Sequence, residues 1–329
     1  MGISEQVSEV IKKHGIQGAS ACYLVRSYYL QQLAEKQERD IILYASNWVW
    51  SSSRPQQDIS ILAEDVVGLM TVISELKRKK LDLILHTSGG DPTAAEAILK
   101  YLRQKFDHIR VVIPFAAMSA GTVIACGANE IIMGRHSFIG PTDPQILVRH
   151  PFGTHMAPAQ ALIDDFRLAQ SMTDDKEHLG GWSPLLEQYP KGLYSQCVDA
   201  IELSRELIRN WLVQYMFSEA GSSVVPNSQE NESSDDTSLP PQSDVDAQQK
   251  ANAISDWLSS HAEHKAHGRF ISRSEAKEKG LKVIDLEADN DIQDIVLSIF
   301  HAAMLQFAQN PNSSKIIENS QGAFFFSPS

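Results

Sequence analysis

Residues 81–92 read Leu81-Asp-Leu-Ile-Leu-His-Thr-Ser-Gly-Gly-Asp-Pro92. The apolar run Leu81–His86 suits a short buried strand. Ser88-Gly89-Gly90-Asp91 then makes a glycine turn, and Pro92 suits the first turn of a helix through about Phe106. The same grammar repeats downstream. Ile109–Phe115 reads as a strand, a helix follows from about Ala120, and Glu130–Met133 is the next strand. Upstream, Asp40–Ala45 is a strand. Between Ile61 and Lys79, Leu62, Val66, Leu69, Ile73 and Leu76 fall on one helical face, and the basic run Lys77–Lys80 ends that helix, where positive charge meets its dipole. Strands alternating with helices predict an α/β fold with a parallel sheet. Ligand sites in such sheets lie beyond the carboxyl ends of strands, where both the SGGD turn and the AMSAGT stretch fall.

The 329 residues are 43% hydrophobic, enough for a large core, and carry a net charge of −12, which argues against nucleic acid or an anionic membrane as partner. Cys22, Cys126 and Cys197 lack metal-site spacing and read as reduced thiols of a cytoplasmic protein. The first residues show no basic region followed by an apolar core, so no signal peptide is expected. Val111–Ala128 is uncharged, but Pro114, Ser119 and Gly121 make it a buried strand running into a helix rather than a membrane span.

The chain divides into an N-terminal helical segment (1–39), a core domain (40–218), an insertion (219–250), a C-terminal completion of the core (251–309) and a tail (310–329) that reads as loose. Residues 157–171 and 197–217 read as helices. The insertion is rich in Ser, Asp, Gln and Pro, which predicts an acidic disordered stretch.

Consecutive glycines at Gly89 and Gly90 let backbone N–H groups face a ligand without a side chain in the way, as an oxyanion site requires. Ser119, at the next strand end, is flanked by Ala116, Ala117, Ala120 and Gly121, which leave room for a substrate backbone; a serine there otherwise serves as a helix cap. His261, His264 and His267 recur every three residues, a spacing that would suit a metal, but an exposed histidine cluster is the simpler reading. Trp48, Trp50 and Trp182 suit a pocket wall or a core.

Strand-GG-helix, strand-MSAG-helix, Gly127-Ala-Asn-Glu-Ile-Ile132 and Gly140-Pro-Thr-Asp-Pro-Gln145 together resemble the Clp/crotonase-fold serine peptidases, and among them the SDH-type proteinases related to signal peptide peptidase A. The segment Ala266–Leu281 is also similar to one in those relatives. The resemblance covers residues 40–146 well and 197–300 loosely. It implies a Clp/crotonase-like parallel sheet of repeated ββα units with additional C-terminal helices, and an ATP-independent serine peptidase. Ser119 matches the nucleophile, and Gly90 and Ala120 match the oxyanion amides, with Gly89 beside them. Asp143 matches an acid of the SDH-type pattern. A peptide or unfolded protein would be the substrate. A homo-oligomer contacting through residues 197–217 and 291–308 would be the assembly, with no metal or organic cofactor.

The proton acceptor is the open position, because a serine hydroxyl needs a base beside it. The Clp proteases carry a histidine where Thr142 stands here. The signal peptide peptidases use a lysine past the serine, for which Lys176 and Lys191 are the candidates. Lys176 sits among Asp174, Asp175 and Glu177, which disfavours it; Lys191 has less charged surroundings and is preferred. His267 is the other candidate. Two rival readings share the fold: a crotonase-like acyl-CoA enzyme, with Asp91 or Asp143 as its carboxylate, and a catalytically silent scaffold.

Overall fold

The computed structural model describes residues 19–50, 56–150, 153–173, 190–218 and 242–328. In chain order the elements are α1 (Ala19–Gln37), β1 (Asp40–Ser46), α2 (Gln56–Ile59), α3 (Asp65–Ile73), β2 (Lys80–His86), α4 (Pro92–Lys105), β3 (His108–Ile113) and β4 (Ala116–Ala117). Then come α5 (Ala120–Cys126), β5 (Glu130–Met133), β6 (Phe138–Ile139), β7 (Gln145–His150), β8 (Gly153–Pro158), α6 (Ala159–Thr173) and α7 (Leu193–Trp211). The C-terminal part holds α8 (Gln242–Leu258), α9 (His261–His264), β9 (Ile271–Ser272), α10 (Arg273–Glu278), β10 (Val283–Asp285), α11 (Asn290–Gln309), β11 (Ser313–Asn319) and β12 (Phe324–Pro328).

The central sheet has the order β10-β5-β3-β2-β1-β11-β12. The first five strands are mutually parallel; β11 and β12 are antiparallel additions at one edge. This is the largely parallel α/β sheet expected from the alternation of strands and helices. Successive residues of the inner strands face opposite sides, so each strand feeds two cores. Ile41, Leu43 and Ala45 of β1 pack with Leu30 and Leu33 of α1 and with Ile299 and Phe307 of α11. Ile42 and Tyr44 face the other way, into the core shared with α3, α4, α5, α7 and α8. Because α11 lies against α1, part of the C-terminal helix surface is used within the chain. A separate small core joins the β7–β8 hairpin, α6 and the start of α7 through Ala159, Ile163, Leu193 and Cys197.

Three local readings change. The helix at 61–79 is shorter, Asp65–Ile73, so the basic run does not cap it; Arg78 instead donates to the Ala34 carbonyl at 3.1 Å and the Arg39 carbonyl at 2.9 Å. The stretch 242–250, read as part of a disordered insertion, forms the first half of α8, whose Ala251, Ile254, Trp257 and Leu258 bury against the core; the rest of that insertion lies outside the described residues. The tail is not loose. Ser-Ser-Lys-Ile-Ile-Glu-Asn (313–319) is buried throughout as β11. Its charges find partners far away in sequence: Glu318 takes a bidentate pair from buried Arg26 at 2.7 and 2.6 Å, and Lys315 meets Asp65 at 2.7 Å. A polar-looking strand is tolerated inside only when its charges are paired in this way. The three cysteines are buried and free, and among the described residues no helix is long and apolar enough to cross a membrane.

His86, at the carboxyl end of β2, is fully buried among Trp48, Phe115 and Phe300. Burial drives its pKa down from 6.5 to about 3. Between those values the unfolded chain binds a proton that the folded chain refuses, so stability rises with pH there. We expect His86→Leu to remove up to about 1.4 kcal/mol per pH unit of acid sensitivity below pH 6.5, read from urea unfolding at a series of pH values. An unchanged acid slope would show that the imidazole is protonated in the folded state.

Candidate active site

The two strand-end turns meet through their backbones. Thr87 and Ala117 form a parallel bridge, with Thr87 N–H donating to Ala116 O and Met118 N–H to Thr87 O, both at 3.0 Å. A Cβ added to Gly89, whose φ is +101°, would lie 2.6 Å from the Ser119 Cβ and 2.7 Å from Met118 O. Only glycine allows that approach and that φ together. Gly90 is held from the other side by Ile61, whose N–H donates to Gly89 O at 2.8 Å and whose carbonyl accepts from Asp91 N–H at 3.0 Å. A Cβ on Gly90 would fall on the Ile61 backbone. This bridge uses the groups on either side of Gly90 and leaves the Gly90 N–H out. The Ala120 N–H opens α5 and has no intrahelical acceptor.

Ser119 stands where a helix cap would, but its side chain makes no capping hydrogen bond. Its backbone sits at φ +51°, ψ −116°, a sparsely populated conformation for a residue with a Cβ that costs on the order of 1–3 kcal/mol. Strain of this kind persists where the surroundings impose it, and a serine on a sharp strand-to-helix turn presents its hydroxyl outward. The residue is half-buried between the buried Met118 and Ala120.

A second, three-stranded sheet, β4-β6-β9, organises the rest. Ala117 pairs with Ile139 in parallel, and Ile139 pairs with Ile271 in antiparallel register. The chain therefore leaves β4 and β6, and enters β9, at one common end. Ser119 follows β4, Asp143 follows β6 and His267 precedes β9 at that end. Asp143 is 3% exposed and its Oδ1 lies 2.7 Å from His267 Nδ1. Its Oδ2 accepts from Gln145 Nε2 at 3.0 Å and faces His261 Nδ1 at 3.5 Å. Thr122 Oγ1 ties α5 to the turn before Asp143, 2.9 Å from Gly140 O and 3.0 Å from Gly140 N. The histidine spacing is thus neither an exposed cluster nor a metal set: His264 is buried against the Trp257 carbonyl, His261 and His267 flank one carboxylate, and no metal-binding group of side chains occurs among the described residues.

Residues 61–160 match the model of the ClpP-like SDH-type serine proteinases. This part of the chain is similar to that family. Ile61, Gly89, Gly90, Ser119, Ala120 and Asp143 all fall inside the matched segment, and His267 and Lys191 fall outside it. Two uncharacterized proteins of Methanocaldococcus jannaschii are similar to the chain. One is 33% identical over 125 residues, 37% of this chain and 44% of the relative; the other is 47% identical over 66 residues, 20% and 23%. The matched stretch therefore spans less than half the length of either relative. A point-mutant form of the 1510-N membrane-bound stomatin-specific protease aligns with a TM-score of 0.36 and 14% identity, over 71% of this chain and 78% of that one.

The remaining candidates lie elsewhere. Lys191 is exposed just before α7, and among the described residues no hydrogen bond joins the Ser119 hydroxyl to Lys191 or to His267. Lys176 and Trp182 lie outside the described residues. Asp91 caps α4, accepting from Thr93 N–H at 2.8 Å and Thr93 Oγ1 at 2.7 Å. The role of Ile61 was invisible in the sequence, because it acts through its backbone. The link from Asp143 to His267, 124 residues apart, also carries no local signal.

The contact between Gly90 and Ile61 sets a clear stability difference. Gly90→Ala should cost roughly 2–4 kcal/mol in urea unfolding, whereas Gly268→Ala, with open space around its Cβ position, should stay within about 0.5 kcal/mol.

Proposed function

We propose that the protein is an ATP-independent serine peptidase in which Ser119 is the nucleophile and the Gly90 and Ala120 amides hold the oxyanion. His267 is the general base, oriented by Asp143. The observation that carries this reading is the buried Asp143 carboxylate on His267 Nδ1, placed at the same end of the β4-β6-β9 sheet as the strained Ser119. A carboxylate only accepts, so Nδ1 carries the proton and Nε2 keeps a free lone pair for the serine hydroxyl.

In this reading Ser119 Oγ attacks a peptide carbonyl carbon while its proton passes to His267 Nε2. The carbonyl oxygen becomes an oxyanion facing the two amides. His267 then returns the proton to the leaving amine as the C–N bond breaks, and water, activated by the same imidazole, releases the acyl group. The exposed Lys191 lacks the burial that a lysine base requires, which favours the histidine. Gly89 contributes the close backbone approach rather than a donor, since its N–H is bonded to Thr87 Oγ1 at 3.1 Å. The substrate is a peptide or an unfolded protein chain, and the working form is a cytoplasmic homo-oligomer.

A fluorophosphonate probe tests the assignment. The wild-type protein should be labelled, Ser119→Ala should not, and His267→Ala and Asp143→Asn should each slow labelling by about 10³-fold or more. Lys191→Met should stay within about twofold. No labelling of the wild type at any pH would favour the silent scaffold; an unimpaired His267→Ala would remove the histidine from the mechanism.

A further inference from the structure

The segment that clamps Gly90 is itself irregular, lying between α2 and α3 with no strand of its own. Its conformation is fixed by a buried polar network. Asp65, 1% exposed, accepts from Leu62 N–H at 2.9 Å and from Tyr44 Oη at 2.8 Å through Oδ2. Its Oδ1 meets Lys315 Nζ at 2.7 Å. The Lys315 side chain is fully buried on β11, and the other carboxylate near it, Glu64, is 4.0 Å away and largely exposed. Burial and the Asp65 charge hold the Tyr44 phenol well above its ordinary pKa, so it acts as a donor.

Burying a lysine–carboxylate pair gains little stability over apolar residues of the same shape, and the best-attested use of such pairs is to fix one geometry. Here the geometry fixed is that of Leu62, and with it Ile61, whose N–H and carbonyl clamp the backbone on both sides of Gly90. We propose that Asp65 and Lys315 are positioning residues for the oxyanion site: the network seats Ile61, and Ile61 aims the Gly90 N–H. This rests on the serine-peptidase reading above. The chain links β11, which lies outside the matched segment, to the turn that the segment contributes.

Phosphonylation reads this directly. Ser119 Oγ attacks phosphorus, the P–F bond breaks, fluoride leaves, and the hydroxyl proton goes to His267, with the phosphoryl oxygen taking the oxyanion position. Two double variants neutralise the pair with similar volume. Asp65→Leu with Lys315→Met removes the Leu62 acceptor; Asp65→Asn with Lys315→Met keeps an amide oxygen there. In the folded proteins the first should lower the saturating labelling rate by about 10-fold or more, with the half-saturating probe concentration changed less than about twofold, and the second should recover most of the rate. Equal rates for the two overturn the proposal. If the first does not fold, Tyr44→Phe decides: a slowdown of about threefold at constant half-saturation supports the proposal, and an unchanged rate overturns it. A wild-type protein that is never labelled sinks the peptidase reading instead, which separates the two failures.

Discussion

The close approach of two strand-end backbones, the turn after β2 against the turn after β4, is the constraint on which the site depends. Gly89 lies so near Ser119 that no side chain fits between them, and the Thr87–Ala117 bridge continues that contact into the small sheet. Once the turns are joined, the backbone of Ser119 has little freedom, and its strained φ is imposed from outside rather than chosen locally. The same contact leaves the Gly90 and Ala120 amides at adjacent strand ends. It costs conformational freedom in both loops, and the core beneath them, continuous from β1 to β5, supplies the rigidity.

The small sheet has a different task. Its strands are only two residues long, too short to matter much for stability. Their register brings together three segments that the sequence separates widely. Parallel pairing of β4 with β6 and antiparallel pairing of β6 with β9 are what put Ser119, Asp143 and His267 at one end. The proposed triad is therefore a consequence of strand direction before it is one of side-chain chemistry.

Polar groups inside this protein are managed by pairing over long range. Arg26 with Glu318 and Lys315 with Asp65 join β11 to the N-terminal half, and Asp82 binds both Arg39 and Arg110 near the amino ends of the inner strands. Such pairs are costly to break and add little when intact, so their effect is to make one arrangement of strands preferable to others. The acid-sensitive element is of another kind: His86 is kept neutral by apolar burial.

Much was legible in the sequence because it is written in local pattern. Apolar runs of strand length, glycine turns and one-sided helices dictate a parallel α/β sheet, and a serine among small residues beside a double glycine marks the strand ends as the candidate site. Those signals act within about ten residues, the range over which backbone geometry and periodicity speak. The buried strand at 313–319 looks like a loose tail in sequence because Lys315 and Glu318 look exposed until Asp65 and Arg26 are brought to them. Spacing along the chain also says nothing of which imidazole reaches Asp143, a contact made across 124 residues. Local sequence determined most of the elements and which residues stand at the strand ends. Tertiary structure alone decided which distant charges meet, because pairing energy depends on separation in space, and only the folded sheet sets that separation.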